Sequence, residues 1–209
     1  MKKLVILAAM IFIGLNSASA ALINPGFETG DLTGWSSNAL NLTTVTISHL
    51  GDQGTTYMPQ EGSYLLRLEA GLGSDDYPEY TIASQSFILN QGESLLGYAA
   101  FDARDDITYN DEAFAELRSS TGSLIASLWQ SNVGKVGDYG DGPWETWSWS
   151  SPGLYELRYG VRNVGDNDVP SYALFDIKQT TAAVPEPASL SLLGLGLLGL
   201  AGLKRKRTK

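Results

Sequence analysis

Five carboxylates fall within eleven residues at Asp102, Asp105, Asp106, Asp111 and Glu112, with Arg104 among them. Hard oxygen ligands brought together by a loop suit Ca²⁺, which takes about six to eight of them. The spacing is not that of an EF-hand, which needs carboxylates at alternate positions, a central glycine and a closing glutamate. Asp102, Asp105, Asp106 and Asp111 read first as a solvated loop, with a cation site or a polar rim for a ligand as the functional alternative. The other concentration is aromatic: Trp144, Trp147 and Trp149, with Tyr139 and Trp129 nearby. Trp147 and Trp149 lie two apart and share one side of a strand. Such rings either stack on the apolar faces of sugars or fill the core of a sandwich.

Catalytic chemistry finds less to work with. The chain of 209 residues has no cysteine and a single histidine, His49. Thiolate nucleophiles, disulfides, cysteine-ligated metals and two-imidazole sites are excluded. No G-x-S-x-G elbow accompanies His49, which reads as a surface or rim residue. Glycoside hydrolysis needs two carboxylates set across a cleft, and 23 acids supply pairs anywhere. Gly71-Leu72-Gly73-Ser74 runs into Asp75-Asp76, which would repel a phosphate. No catalytic residue is assigned, and the chain is expected not to be an enzyme.

The elements that must hold these residues are strands. Alternating or β-branched runs span Asn41–Ser48, Ser63–Glu69, Tyr80–Leu89, Ser94–Asp102, Ala113–Arg118, Ser123–Trp129, Glu145–Ser150, Leu154–Asn163 and Ser171–Lys178, with Gly, Pro, Asn or Asp in most gaps. An all-β, antiparallel two-sheet sandwich over residues 21–181 is expected, a jelly roll first among its forms.

The ends stand apart. Met1-Lys2-Lys3, the apolar run to Leu15 and the exit through Ala18-Ser19-Ala20 read as a secretory signal peptide over residues 1–20. At the other end, Pro185-Glu186-Pro187 precedes an uncharged Leu/Gly-rich segment, 188–203, and a basic tail, 204–209. Sixteen residues span roughly 24 Å as a helix, short for a hydrocarbon core of about 30 Å. The basic tail should stop on the cytoplasmic side, leaving the domain outside.

This order of features resembles the PEP-CTERM sorting signal of Gram-negative bacteria, over residues 184–209. The resemblance implies that an exosortase reads Pro185, Glu186 and Pro187 and removes the tail. It also implies transient anchoring in the inner membrane through 188–203 and a final place in the cell envelope, at the cell surface or in an extracellular matrix. A second resemblance lies in Asn24-Pro25-Gly26-Phe27-Glu28, Gly34-Trp35, Glu61-Gly62-Ser63-Tyr64 and Phe175-Asp176-Ile177, which look like the opening, following and closing segments of carbohydrate-binding-module-like jelly rolls. It implies a structural calcium held by Glu28 and Asp176, with the Gly26 carbonyl and oxygens around Glu61 added, and a glycan such as exopolysaccharide as partner. Trp144, Trp147 and Trp149 are the candidate stacking residues, a place in the core being the commoner alternative for such rings.

The whole chain carries −9, yet residues 21–184 hold seven basic against 22 acidic residues, a net of −15. An acidic domain disfavours nucleic acid and repels anionic polymers unless cations bridge them. The expected role is that of an exported surface or matrix protein, binding carbohydrate and stabilised by calcium. Its rivals are a purely structural matrix or adhesion protein and a polysaccharide-acting hydrolase.

Overall fold

The computed structural model describes residues 21–71, 80–166 and 168–180. The expected signal peptide, most of the Gly71–Asp76 stretch, the Pro185-Glu186-Pro187 motif, the membrane segment and the basic tail lie outside the described residues. The described elements are β1 (Ser36–Ser37), a 3₁₀ turn (Leu40–Leu42), β2 (Thr43–Thr46), β3 (His49–Leu50), β4 (Thr56–Tyr57), β5 (Leu65–Glu69), β6 (Thr81–Leu89), β7 (Ser94–Asp102), β8 (Glu112–Arg118), β9 (Leu124–Asn132), α1 (Val133–Val136), β10 (Glu145–Trp149), β11 (Gly153–Arg162) and β12 (Tyr172–Thr180).

Two five-stranded antiparallel sheets result, ordered β1-β6-β11-β8-β9 and β10-β7-β12-β5-β2, with β3 and β4 forming a small separate pair. From β5 onward the chain changes sheet at nearly every connection, which gives the sandwich its jelly-roll form. Every expected run holds a strand. The strands without a counterpart among those runs, β1, β3 and β4, are two residues each, too short for alternation to register.

Alternation builds the core. Ala83, Phe87 and Leu89 of β6, Leu95, Ala99 and Phe101 of β7, Leu157, Tyr159 and Val161 of β11, and Ala173, Phe175 and Ile177 of β12 all turn inward. An aromatic spine runs through them: Trp35 stacks on Tyr159 at 5.4 Å, Tyr159 on Phe175 at 4.2 Å, and Trp129 meets Phe175 edge-on at 5.8 Å. The opening motif plugs into this spine. Phe27 is fully buried, 5.0 Å from Trp35, although its φ of 61° lies in the left-handed region. Burying a large ring offsets that local strain, of order 1–3 kcal/mol. Asn24 accepts from Thr29 N and donates to the Asp31 carbonyl, closing the turn.

The residues between these inward positions face out, and here the sheets differ. On the sheet that contains β7 and β12, the outward residues Leu65, Ala100 and Leu174 are buried beneath Tyr57, with Trp144 packed alongside. Residues 49–62 lie as a strap across that face. The outward face of the sheet that contains β8 and β11 carries no such cover among the described residues.

Candidate functional site

The strap is held by two carboxylates with no exposure at all, Asp102 and Asp176. Asp102 takes the Nε2 of His49 at 2.7 Å, the Nε of Arg104 at 3.0 Å and the Asp52 amide at 3.1 Å. Arg104 also donates to the Leu50 carbonyl and lies 4.8 Å over the ring of Tyr172, which is 4.9 Å from His49. His49 is thus a buried partner of a carboxylate, not the rim residue its sequence context suggested. Tyr57 donates to the Gly142 carbonyl, and Asp141 accepts from Gln53 N and Thr55 N.

Asp176 holds the far end of the strap. Its Oδ2 accepts from Gln60 N and Glu61 N, and its Oδ1 from Ile177 N. Burial raises its pKa against these donors, and the charge of Glu28 adds to the shift. Glu28 in turn accepts from Ser63 N and Tyr64 N. A Cβ on Gly62, whose φ is 61°, would strike the Glu28 carboxylate, so glycine is needed on both counts. A Cβ on Gly26 would lie 3.2 Å from the Ile177 carbonyl and 3.6 Å from Asp176 Oδ1, which places Gly26 beside Asp176. Glu61 instead pairs with Lys178 Nζ at 3.0 Å. The expected calcium residues Gly26, Glu28 and Asp176 therefore converge, while the Glu61 side chain turns to a lysine. Among the described residues no three acidic or histidine side chains stand grouped for a metal.

The second acidic set does not form one site. Asp102 faces the strap, whereas Asp111 accepts from Val164 N and Ser171 N, tying two loops together. Burial pushes the Asp111 carboxyl up to about 6. Asp106 accepts from Thr108 N in its own loop. Asp102, Asp105 and Asp111 are buried, so the solvated-loop reading fails for them too.

The tryptophans must also be reassigned. Trp147 is 5% exposed and belongs to the core, so it offers no sugar platform. Its indole lies over Gly97, the cross-strand partner in β7, where any Cβ would overlap the ring. Trp149 packs on the same core and meets Tyr155 edge-on, and Trp144 meets Tyr57 edge-on against the strap. Their two-residue spacing was readable, but alternation assigns a shared side without saying which side is inside.

The open face carries what remains for a ligand. Along β8, Glu112, Phe114, Glu116 and Arg118 alternate outward beside Glu156, Arg158, Gly160 and Arg162 of β11. Arg162 Nη2 lies 2.8 Å from Glu112, and its guanidinium covers the Tyr80 ring at 4.8 Å. Tyr80 donates to Glu112 and meets Phe114 edge-on at 5.1 Å. Gly160 makes room for the Phe114 ring, which a Cβ there would approach to 2.5 Å. Tyr80, Glu112, Phe114, Gln130, Ser131 and Asn132 line a cleft of about 110 Å³. Nearby, Glu116 pairs with Arg118 at 2.6 Å and with Arg158 at 3.6 Å. Sequence reasoning missed this face. The signal was present as alternating charges in β8 and β11, but only the register joins Arg162 to Glu112 and Arg158 to Glu116.

The chain's last segment has a recognised counterpart. Residues 183–206 match the family described as the PEP-CTERM protein-sorting motif. The chain carries a PEP-CTERM sorting signal. It is an exported protein with a C-terminal address. No curated protein sequence matches it. Among solved structures it is similar to TmCBM61 in complex with β-1,4-galactotriose, at 15% identity and a TM-score of 0.47, over 77% of this chain and 97% of that one. The K3 cleaved adhesin domain of Lys-gingipain from Porphyromonas gingivalis is similar at 13% identity and 0.47, over 77% and 99%. The enzymatically active domain of bacteriophage CBA120 tailspike protein 4 is similar at 12% identity and 0.43, over 77% of this chain but 21% of that one.

Proposed function

We propose that this exported protein is a non-catalytic glycan-binding protein of the envelope or matrix, processed by an exosortase at its C-terminal signal, and that it binds sugar on the open face of the β8–β11 sheet. The observation that supports this reading is the pairing there of aromatic rings with hydroxyl-recognising groups. Tyr80 and Phe114 offer apolar surface, while Glu112, Gln130 and Asn132 offer acceptors and donors around one cleft, with Arg162 paired to Glu112 beside it. Sugars are recognised by that combination of a few placed polar groups with aromatic contact. The net of −15 on residues 21–184 favours a neutral glycan over an anionic one.

Calcium belongs to the same proposal. Glu28, Asp176 and backbone carbonyls near Gly26 and Ile177 would supply oxygen ligands, the chemistry a hard cation takes, in exchange for amide hydrogen bonds the two carboxylates accept. A bound ion would offset the repulsion between the two carboxylates and tie the N-terminal turn to the last strand.

A glycan array, followed by calorimetry with the best ligand, tests the binding reading. Phe114→Ala and Arg162→Ala should each weaken binding at least tenfold, roughly the cost of a hot-spot contact, while Trp147→Phe should leave it unchanged. An array without a ligand, or binding indifferent to both substitutions, points to a scaffold. Release of reducing ends from a bound polysaccharide points to a hydrolase.

A further inference from the structure

Three loops meet at one end of the sandwich: 103–111 between β7 and β8, 137–144 between α1 and β10, and 163–171 between β11 and β12. Tyr139 N donates to the Asp105 carbonyl at 2.9 Å, Ile107 N to Asp138 at 2.8 Å, and Val164 N to Asp111 at 2.8 Å, so the loops are tied to one another. They bring Asp105, Asp106, Asp138, Asp166 and Asp168 to this end. None of these five has an ion-pair partner among the described residues.

Asp105 is the anomaly. It is 5% exposed, and its Oδ1 accepts only from the next amide, Asp106 N at 2.8 Å. Its Oδ2 is buried and accepts nothing. Burial raises its pKa, and the charges of Asp166, Asp106 and Asp168 push the same way. A second orphan sits in the adjoining loop. Both side-chain polar atoms of Asn163 are buried without a partner. Its neighbour Val164 donates to Asp111, which sets Asn163 at this same end. Leaving a buried acceptor unsatisfied costs about 1–3 kcal/mol, more for a charged group. A buried carboxylate oxygen and an amide oxygen, both short of donors at one end of the sandwich, are ligands a hard cation can use.

We propose that Asp105, Asn163 and Asp166 hold a divalent cation of the calcium class, separate from the Glu28–Asp176 pair, and that it locks the three loops together. The carboxylate Oδ2 of Asp105 and the amide oxygen of Asn163 supply hard ligands that are short of hydrogen-bond donors, and Asp166 supplies the second charge from the turn set by Gly165, whose φ is 95°. Backbone oxygens and water complete a shell of the size Ca²⁺ takes. Tyr139, on the backbone of Asp105, stands close enough to sensitise a bound lanthanide.

Terbium titration of the purified full chain, read as tyrosine- and tryptophan-sensitised emission and displaced by calcium, tests this. The expected result is saturable emission that falls at least about tenfold in apparent affinity in both Asp105→Asn and Asp166→Asn, a loss of the size a ligand-shell change causes, and that persists in Glu28→Gln. In chelator, Asp105→Asn should melt no lower than the unsubstituted chain, because the orphaned charge is gone, and calcium should raise the Tm of the unsubstituted chain by more than that of Asp105→Asn. Unchanged affinity in both variants overturns the proposal, as does emission lost in Glu28→Gln alone, or no saturable binding at millimolar terbium. Should Asp105→Asn fail to fold, Asp166→Asn decides between these outcomes by itself, since its side chain lies in a surface loop. The glycan-binding reading stands or falls on the array, not on this titration.

Discussion

The outer faces of the two sheets differ although both belong to strands of the same alternating pattern. One lies under the 49–62 strap, and its acids, Asp102 and Asp176, are fully buried and surrounded by donors. The other is open, and its charges pair with one another: Glu112, Arg158 and Arg162 keep contact with solvent, while Glu116 is buried between Arg118 and Arg158. A carboxylate whose oxygens are taken by amides, an imidazole and a guanidinium is a fastener. A carboxylate in a half-exposed ladder beside two aromatic rings can still exchange a partner for a sugar hydroxyl. Position under or away from the strap, more than residue type, separates structural acids from those a ligand can use.

The largest effects should come from breaking the closed face and the core behind it. Asp102→Ala leaves His49 and Arg104 facing a buried gap and should cost about 3–5 kcal/mol, read as a fall in the urea midpoint. Trp147→Ala should cost a similar amount, about 3–5 kcal/mol, as a core cavity. If Trp147 were instead a sugar platform, binding would be lost at little cost in stability. Next in size is a pH effect. The folded chain keeps the Asp111 proton to about pH 6, whereas an unfolded chain releases it near 3.8. The native state therefore binds more protons between those values, and stability should fall by about 3 kcal/mol as pH rises through them, then level off. Asp111→Asn should flatten that part of a denaturation series. The smallest effect belongs to the open face. Arg158→Ala, which loses the longer of the two ion pairs to Glu116 and leaves the one with Arg118, should change stability by only about 1 kcal/mol. A loss as large as that of Asp102→Ala would erase the distinction between the faces.

Much of the architecture was legible. Long alternating runs such as Tyr80–Leu89 and Ser94–Asp102 became β6 and β7 with hardly a change of boundary. The convergence of Gly26, Glu28 and Asp176 was legible through the motifs that carry them. What stayed hidden depends on long-range register and on the backbone. The donors to Asp176 are the amides of Gln60 and Glu61, which no side-chain pattern announces. Asp102 and Asp111 lie nine positions apart in an acidic run, yet one turns to the strap and the other between the loops. Trp147 reads the same whether it faces out or lies on Gly97, because the glycine that receives it is fifty residues away.

The most direct test of the open-face account is an amide-resolved footprint, by NMR titration or hydrogen exchange, of the full chain with a neutral oligosaccharide chosen from the array. Perturbation should concentrate in residues 80–82, 112–116, 130–132 and 160–162, with residues 49–62 quiet. Perturbation centred on the strap, or on the loops around Trp144, with residues 112–116 and 160–162 unmoved, would contradict it.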